Sequence, residues 1–245
     1  MQGIGASFLS TLIVVTVIIL GIIASLIISK ILSKTILKGM PSSFVLELPP
    51  YRKPQVGKIL IRSIMDRTVF VLGRAIVSAA PAGLIIWILA NVGIDGTSLL
   101  TIVANFFDPF AKLMGLDGYI LTAFILGMPA NEIVLPIILM SYLKANTLVD
   151  LEDTFVIGEI LRQNGRTLLT AINVMLFTVF HFPCMTTLLT IKKETGSLKW
   201  TVIAFLIPTV CGIALCMLTT AIFRIEGTHH FIRIKKYSKL IKDKN

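Results

Sequence analysis

Apolar positions in this chain gather into long blocks separated by short polar segments, and the blocks have the length of helices that cross a bilayer. The first, Phe8–Ser29, is apolar throughout apart from Ser and Thr, and it exceeds the roughly 18 residues that mark a membrane span. It ends in Lys30, Lys34 and Lys38, spaced four apart on one helical face. Prolines 41, 49 and 50 then exclude a regular helix across residues 41–50. Beyond Pro54, Lys58, Arg62, Asp66, Arg67 and Arg74 alternate with Ile59, Leu60, Ile64, Met65 and Val69. That spacing predicts an amphipathic interfacial helix, which runs on into a second span over residues 75–92 with Pro81 as a kink.

Downstream the blocks are interrupted. Asp95-Gly96, Asp108-Pro109 and Asp117-Gly118 read as turns around a short apolar helix. A third apolar stretch, Tyr119–Leu143, is broken at Gly127-Met128-Pro129-Ala130-Asn131-Glu132 and again at Pro136. Residues 144–167 are polar and mixed in charge. A fourth stretch, Leu168–Ile191, is broken at His181-Phe182-Pro183-Cys184, and a last span covers Trp200–Phe223. The expected fold is all-α: a polytopic helical membrane protein with about five spans, two of them discontinuous, as broken helices or re-entrant pairs. The expected segments are a first transmembrane helix with a basic cytoplasmic end (1–38), a cytoplasmic or interfacial loop and helix (39–74), a transmembrane domain (75–223) and a basic tail (224–245).

Composition narrows the class further. Of 245 residues 55% are hydrophobic and 15% charged, with a mean hydropathy of +0.88, against about 25% charged residues in soluble domains. The net charge of +10 flanks the apolar blocks, where anchoring at the cytoplasmic face explains it and nucleic-acid binding is not expected. Residues 30–74 hold nine Lys and Arg, the tail from Arg224 seven, and residues 93–118 one. Placing both rich segments in the cytoplasm requires an even number of crossings between them, which spans two to five supply. The expectation is five crossings with the N-terminus outside and the C-terminus inside. Three cysteines, all in apolar blocks, make no disulfide framework. The first block lacks a basic leader and a small-residue cleavage site, so it is expected to be retained.

The chemistry concentrates at the two breaks. Proline removes the hydrogen-bond partner of the carbonyl four residues before it, so Pro129 frees Ile125, Pro136 frees Glu132 and Pro183 frees Val179. Carbonyls freed at discontinuous membrane helices are the usual material of cation sites. Glu132 sits about 13 residues into a 25-residue apolar stretch, where a carboxylate costs about 2.5–3.5 kcal/mol. It reads as a cation ligand or proton carrier, or else as a structural anion paired with freed backbone or with Asn131. His181 and Cys184 lie at similar depth, three residues apart, as ligands or as packing. Met128 and Met185 flank the breaks. Imidazole, sulfur and carboxylate together suit a divalent transition metal and leave Fe(II), Zn(II) and Mn(II) unranked. Cys211, Cys216 and Met217 read as core, and His229 and His230 as solvated. No phosphate-binding loop, HExxH or GxSxG occurs, so no enzymatic activity is expected of this chain.

The string Phe44-Val45-Leu46-Glu47-Leu48-Pro49-Pro50-Tyr51-Arg52 resembles a loop of the ferrous-iron transport protein B family. The resemblance continues, in collinear order over nearly the whole chain, through Gly127–Glu132, Phe182-Pro183-Cys184 and Lys193–Trp200. It is a resemblance to that family's C-terminal membrane region, with the second gate repeat. It implies the C-terminal gate half of a Fe²⁺ uptake transporter in the bacterial inner membrane. Fe²⁺ is then the transported substrate, and no permanently bound cofactor is expected. The GTP-binding domain and first gate half would lie on another polypeptide or a missing segment, so the chain is either one piece of a split transporter or a truncated fragment and is not expected to transport alone. GTP hydrolysis would reside in that absent domain, and homo-oligomerisation stays open. With the donors read at the breaks, the expected metal set is Glu132, Cys184, His181, Met128 and Asn131, the role of His181 resting on its chemistry and not on the resemblance. Many members have Lys where Asn131 stands, and an aromatic where His181 stands. Two other readings compete: a gate-type carrier of a nucleoside or other small solute, with Asn131 and Asn173 converging on the ligand, and a membrane scaffold that transports nothing.

Overall fold

The computed structural model describes residues 4–35, 56–94 and 96–242. The proline-rich segment with its Phe44–Arg52 string, Lys38, Asp95 and residues 243–245 lie outside the described residues. The chain divides into two compact units, residues 1–77 and 78–245. In the first, α1 (Ile4–Thr35) leaves nearly all its side chains exposed, as an all-apolar helix does when lipid is its solvent. Two of its threonines bond back to the helix: Thr16 Oγ1 donates to the Leu12 carbonyl and Thr35 Oγ1 to the Ile31 carbonyl, each at 2.7 Å. The amphipathic α2 (Val56–Ser63) passes through a π-helical stretch, Ile64–Val69, into α3 (Phe70–Asn91). The helix therefore continues into the second span as its pattern predicts, and it runs on through Pro81.

In the second unit, strands β1 (Gly93–Ile94) and β2 (Thr97–Ser98) form a small antiparallel hairpin. Ser98 then caps α4 (Leu99–Leu113) by accepting from Thr101 N–H. The Asp108-Pro109 turn expected from sequence does not form, because Pro109 lies inside α4. The only helical bond it forgoes is the one to the Asn105 carbonyl. The Asp108 carboxylate instead pairs with Lys112 at 2.5 Å and accepts from Gly118 N–H at 3.2 Å. The chain reverses six residues later, at Gly115, whose φ of +67° is left-handed. A Cβ there would also collide with Asn173 Nδ2 and Thr220 Oγ1. Asp117-Gly118 opens a helix: Asp117 caps α5 (Gly118–Leu126) by accepting from Ile120 N–H at 2.7 Å.

Between α4 and α5 the axis bends by 108°. A turn at 127–130 and a single 3₁₀ turn at Asn131–Ile133 lead into α6 (Val134–Leu143). Pro136 does not interrupt a second time; it occupies the first turn of α6, where a missing N–H costs no intrahelical bond. The polar stretch 144–167 hides an amphipathic helix, α7 (Thr154–Gln163), capped by Asp153. Then come α8 (Leu168–Phe180), α9 (Met185–Thr195) and α10 (Leu198–Lys242). Residues 224–242, expected as a polar tail, continue α10.

Among the described residues, four stretches are helical, long and apolar enough to cross a membrane: Phe8–Thr35, Val71–Asn91, Leu168–Thr195 (α8 with α9) and Leu198–Ile225. The bent pair α4–α5 is a fifth candidate, and Asn131–Leu143 is apolar but shorter. The third stretch is thus a hairpin of half-length arms. α5 and α6 have nine and ten residues, about 14 and 15 Å, each near half of a bilayer core of about 30 Å. Phe124, Ile137, Leu139 and Met140 of the hairpin are almost wholly buried. Phe124 meets Phe177 of α8 edge-to-face at 4.8 Å.

Two polar clusters fix the arms. At the hairpin's base, Asp117 Oδ2 accepts from Tyr142 Oη at 2.6 Å and pairs with Arg166 at 2.8 Å. The Arg166 guanidinium also stacks over the Tyr142 ring. Fully buried Asn173 on α8 donates to the Met114 carbonyl at 2.8 Å and to Thr220 Oγ1 at 2.9 Å, and its Oδ1 accepts from Thr219. It so ties the α4–α5 reversal to α8 and α10. Interhelical bonds of this kind contribute about 0.6 kcal/mol each on average within a bilayer.

Asn173→Ala should therefore cost about 2 kcal/mol and bring forward the reaction of Cys216, buried beside Asn173, with a thiol-reactive dye during thermal unfolding in detergent. Asp117→Ala strands the Arg166 cation and should cost about 3 kcal/mol. Asp117→Asn, which loses the ion pair and keeps the cap, should cost less; a melting temperature equal to that of the unmodified chain would show that the ion pair contributes nothing.

Candidate functional site

The breaks at 127–133 and 181–184, far apart in sequence, meet in the second unit. Each exists because proline cannot donate a backbone hydrogen bond, and each is completed by the other. The Met128 carbonyl accepts from Met185 N–H, the first residue of α9, at 2.9 Å. That bond satisfies one of the N–H groups a helix start leaves unpaired. The turn closes on itself through Ala130 N–H to the Gly127 carbonyl at 3.0 Å. Ile125, the carbonyl deprived by Pro129, accepts from Met128 N–H at 3.4 Å.

His181 ends α8 and is buried. Phe124, Phe177 and Phe182 surround its ring at centroid distances of 5.4, 6.0 and 5.2 Å. Nδ1–H donates to the Thr178 carbonyl at 2.8 Å, so in the neutral ring the lone pair is on Nε2. Asn131 Oδ1 lies 3.2 Å from that nitrogen; with the amide turned over, its N–H end donates to the lone pair there. Asn131 thus occupies the one nitrogen of His181 that a cation would use.

Cys184 is the N-cap residue of α9 and half-buried. Its Sγ sits 3.1 Å from both Thr186 Oγ1 and Thr187 Oγ1. The sulfur is at the positive end of the α9 dipole. Glu132 lies in the 3₁₀ turn and Asn131 beside it, both exposed. Glu132 has no hydrogen-bond or ion-pair partner among the described residues. Met128 is half-buried and enters the contact through its backbone.

The fold thus joins Asn131 to His181 and Met128 to Met185, and it sets Glu132 and Cys184 next to those contacts without linking them to each other. Among the described residues, no three His, Cys, Asp or Glu side chains come close enough to hold a metal ion. The site offers separate donors, not a closed coordination shell. Sequence reasoning missed Thr186 and Thr187 as partners of Cys184 and Thr178 as the group that orients His181. Two threonines at i+2 and i+3 of a helix-capping cysteine were the available signal. Asn173, named as a ligand donor in the solute-carrier reading, is committed to Met114, Thr219 and Thr220. Its amide is structural.

Comparison with known proteins agrees with this architecture. The Gate family model, described as nucleoside recognition, matches residues 72–198, just over half of the chain. The model for the C terminus of ferrous iron transport protein B matches residues 14–66. Among curated relatives, the Fe(2+) transporter FeoB of Staphylococcus aureus (strain MSSA476) is 31% identical over 188 residues, covering 74% of this chain and 27% of the relative. The Fe(2+) transporter FeoB of Leptospira biflexa is 27% identical over 211 residues, covering 79% and 30%. That of Synechocystis is 26% identical over 170 residues, covering 68% and 26%. The chain spans less than a third of each of these relatives. No solved structure matches it significantly. With its paired helix breaks inside the matched region, the chain belongs to the Gate family, in the form carried by the C-terminal membrane region of ferrous iron transport protein B.

Proposed function

We propose that this chain is the C-terminal gate half of a ferrous-iron uptake transporter and lines part of the cation's way across the bacterial inner membrane. The observation that carries the reading is the hydrogen bond from Met185 N–H to the Met128 carbonyl, with Asn131 against His181 beside it. Two interrupted helices are held end to end there, with donors of both charge and softness around the junction. The names of the relatives, Fe(2+) transporters, support the choice of cargo. Glu132 supplies the charge, Cys184 the sulfur and His181 Nε2 the nitrogen, a set suited to a borderline-soft divalent ion. Asn131 holds Nε2 until a cation displaces it, and the Met128 thioether adds a further soft contact. Because these donors form no complete shell, the remaining ligands come from the first gate half. GTP binding and hydrolysis belong to a domain of the same transporter outside this chain. Iron passes as cargo, and no permanent cofactor is required.

The orientation proposed places the C-terminal tail in the cytoplasm. The arms of the α5–α6 hairpin begin and end at the same place, where Asp117 meets Tyr142, so a re-entrant hairpin adds no crossing. The tail shares its side with the hairpin base, since Arg224 donates to the Lys112 carbonyl at 3.1 Å. Lys144, Arg162 and Arg166 lie in the same base segments.

Glu132→Gln and Cys184→Ser, made in the complete transporter, should each lower ⁵⁵Fe uptake by an uptake-deficient strain about 10- to 100-fold while the protein still inserts in the membrane. Uptake at the unmodified rate by both variants would remove the proposed path. A cysteine introduced by Ser238→Cys should react with an impermeant thiol reagent in inverted vesicles and stay unlabelled in intact spheroplasts; the reverse pattern would reverse the orientation.

A further inference from the structure

A second feature of the gate unit has no part in the cation path. A groove of about 550 Å³ runs between α6, α7 and α8, within the roughly 300–1,000 Å³ usual for small-molecule sites. Its walls are apolar, with Ile138, Leu161, Val174 and Met175 among them, and its charged lining residues are Arg162 and Arg166. Both arginines stand at one end, where α7 gives way to α8. That end is level with the hairpin base, because Arg166 is paired there with Asp117. From Thr167 to Met175 the groove follows α8 for eight residues, about 12 Å along a helix that crosses the membrane. Charge lies at the interface end and hydrocarbon at the deep end.

The two arginines differ. Arg166 is already neutralised by Asp117 and held over the Tyr142 ring. Arg162 is exposed and has no ion-pair partner among the described residues. It shares a face of α7 with Leu161 and Gly158, and a Cβ added at Gly158 would meet no atom within 4 Å. The wall is open there. α7 itself has an interfacial character, with Phe155 71% exposed next to an exposed Val156, as on a helix that lies at the headgroup level.

We propose that this groove binds one anionic phospholipid, its phosphate on the Arg162 guanidinium and an acyl chain along Val174 and Met175. Any groove of this kind in a bilayer fills with hydrocarbon. Selection for an anionic headgroup comes from a guanidinium without a carboxylate partner, whose forked N–H groups match phosphate oxygens. Basic pockets between membrane helices hold anionic headgroups on this principle.

The test is native mass spectrometry of the full chain released from detergent after titration with dioleoyl phosphatidylglycerol or dioleoyl phosphatidylcholine. One phosphatidylglycerol should be retained in preference to phosphatidylcholine. Arg162→Gln should lower that preference about fivefold, the equivalent of roughly 1 kcal/mol for one basic residue at an anionic surface. Arg162→Lys should keep most of it, and Gly158→Phe should expel the bound lipid. Should Gly158→Phe fail to fold, the two Arg162 variants decide alone. Equal retention of the two lipids, or an unchanged preference in Arg162→Gln, overturns the proposal. So does a dimer that Gly158→Phe dissociates, since a second copy would then be the occupant.

Discussion

Hydrocarbon offers no hydrogen bonds, so a helix that breaks inside a bilayer must find partners for its loose backbone within the protein. That constraint organises the second unit. Pro129 and Pro183 each leave a helix unable to continue, and the fold answers by setting one break against the other. Met185 N–H reaches the Met128 carbonyl, and Asn131 reaches His181. Neither break is tolerable alone at that depth. Their pairing makes the junction, and with it brings the segment of Asn131 and Glu132 to the segment of His181 and Cys184.

The helices around the junction are anchored at their other ends. Asp117 performs three tasks with one carboxylate: it caps α5, accepts from Tyr142 and neutralises Arg166. Asn173 saturates its amide between the α4–α5 reversal and α10. These clusters hold the hairpin's base while its tip carries the donors, so strength and chemistry are separated along the axis of the hairpin. A rigid base with an exposed tip suits the proposal that another gate half completes this surface. Glu132 and Asn131, exposed on the tip, are the residues such a partner would meet first.

The Asn131–His181 contact gives the proposed path a resting state. With Nδ1–H committed to the Thr178 carbonyl, the imidazole has one free lone pair, and the amide covers it. On that proposal, a cation reaching His181 would replace a neutral dipole and leave the backbone junction intact. Cys184 is braced in the same manner by two threonine hydroxyls. His181 and Cys184 so each have a weak internal partner and are not left buried and unsatisfied, while Glu132 stays exposed.

Much of the fold was legible in the order of residues. The long apolar blocks, the amphipathic run into the second span and the two proline breaks follow from periodicity and from the chemistry of the proline ring, which act locally. Local signals failed where a contact from elsewhere outweighed them. Asp108-Pro109 reads as a turn, yet α4 runs through it because Lys112 and Gly118 give the carboxylate better partners. Pro136 reads as a break, yet it falls in a first helical turn, whose N–H groups have no intrahelical acceptor. Residues 144–167 look like a polar loop, yet α7 forms there, its apolar residues spaced for a face that only α6 and α8 reveal. Residue type and depth singled out Glu132, His181 and Cys184, and the packing set Asn131 against His181 and Met128 against Met185. Asn173 differed: in sequence it is a buried amide fit to bind a solute, and only its neighbours on three helices make it a structural tie. Sequence by itself determined the two breaks at Pro129 and Pro183, because a missing N–H is a property of the residue's own backbone. Tertiary structure alone decided which stops meet, because hydrogen bonds between residues some fifty positions apart depend on how the helices pack.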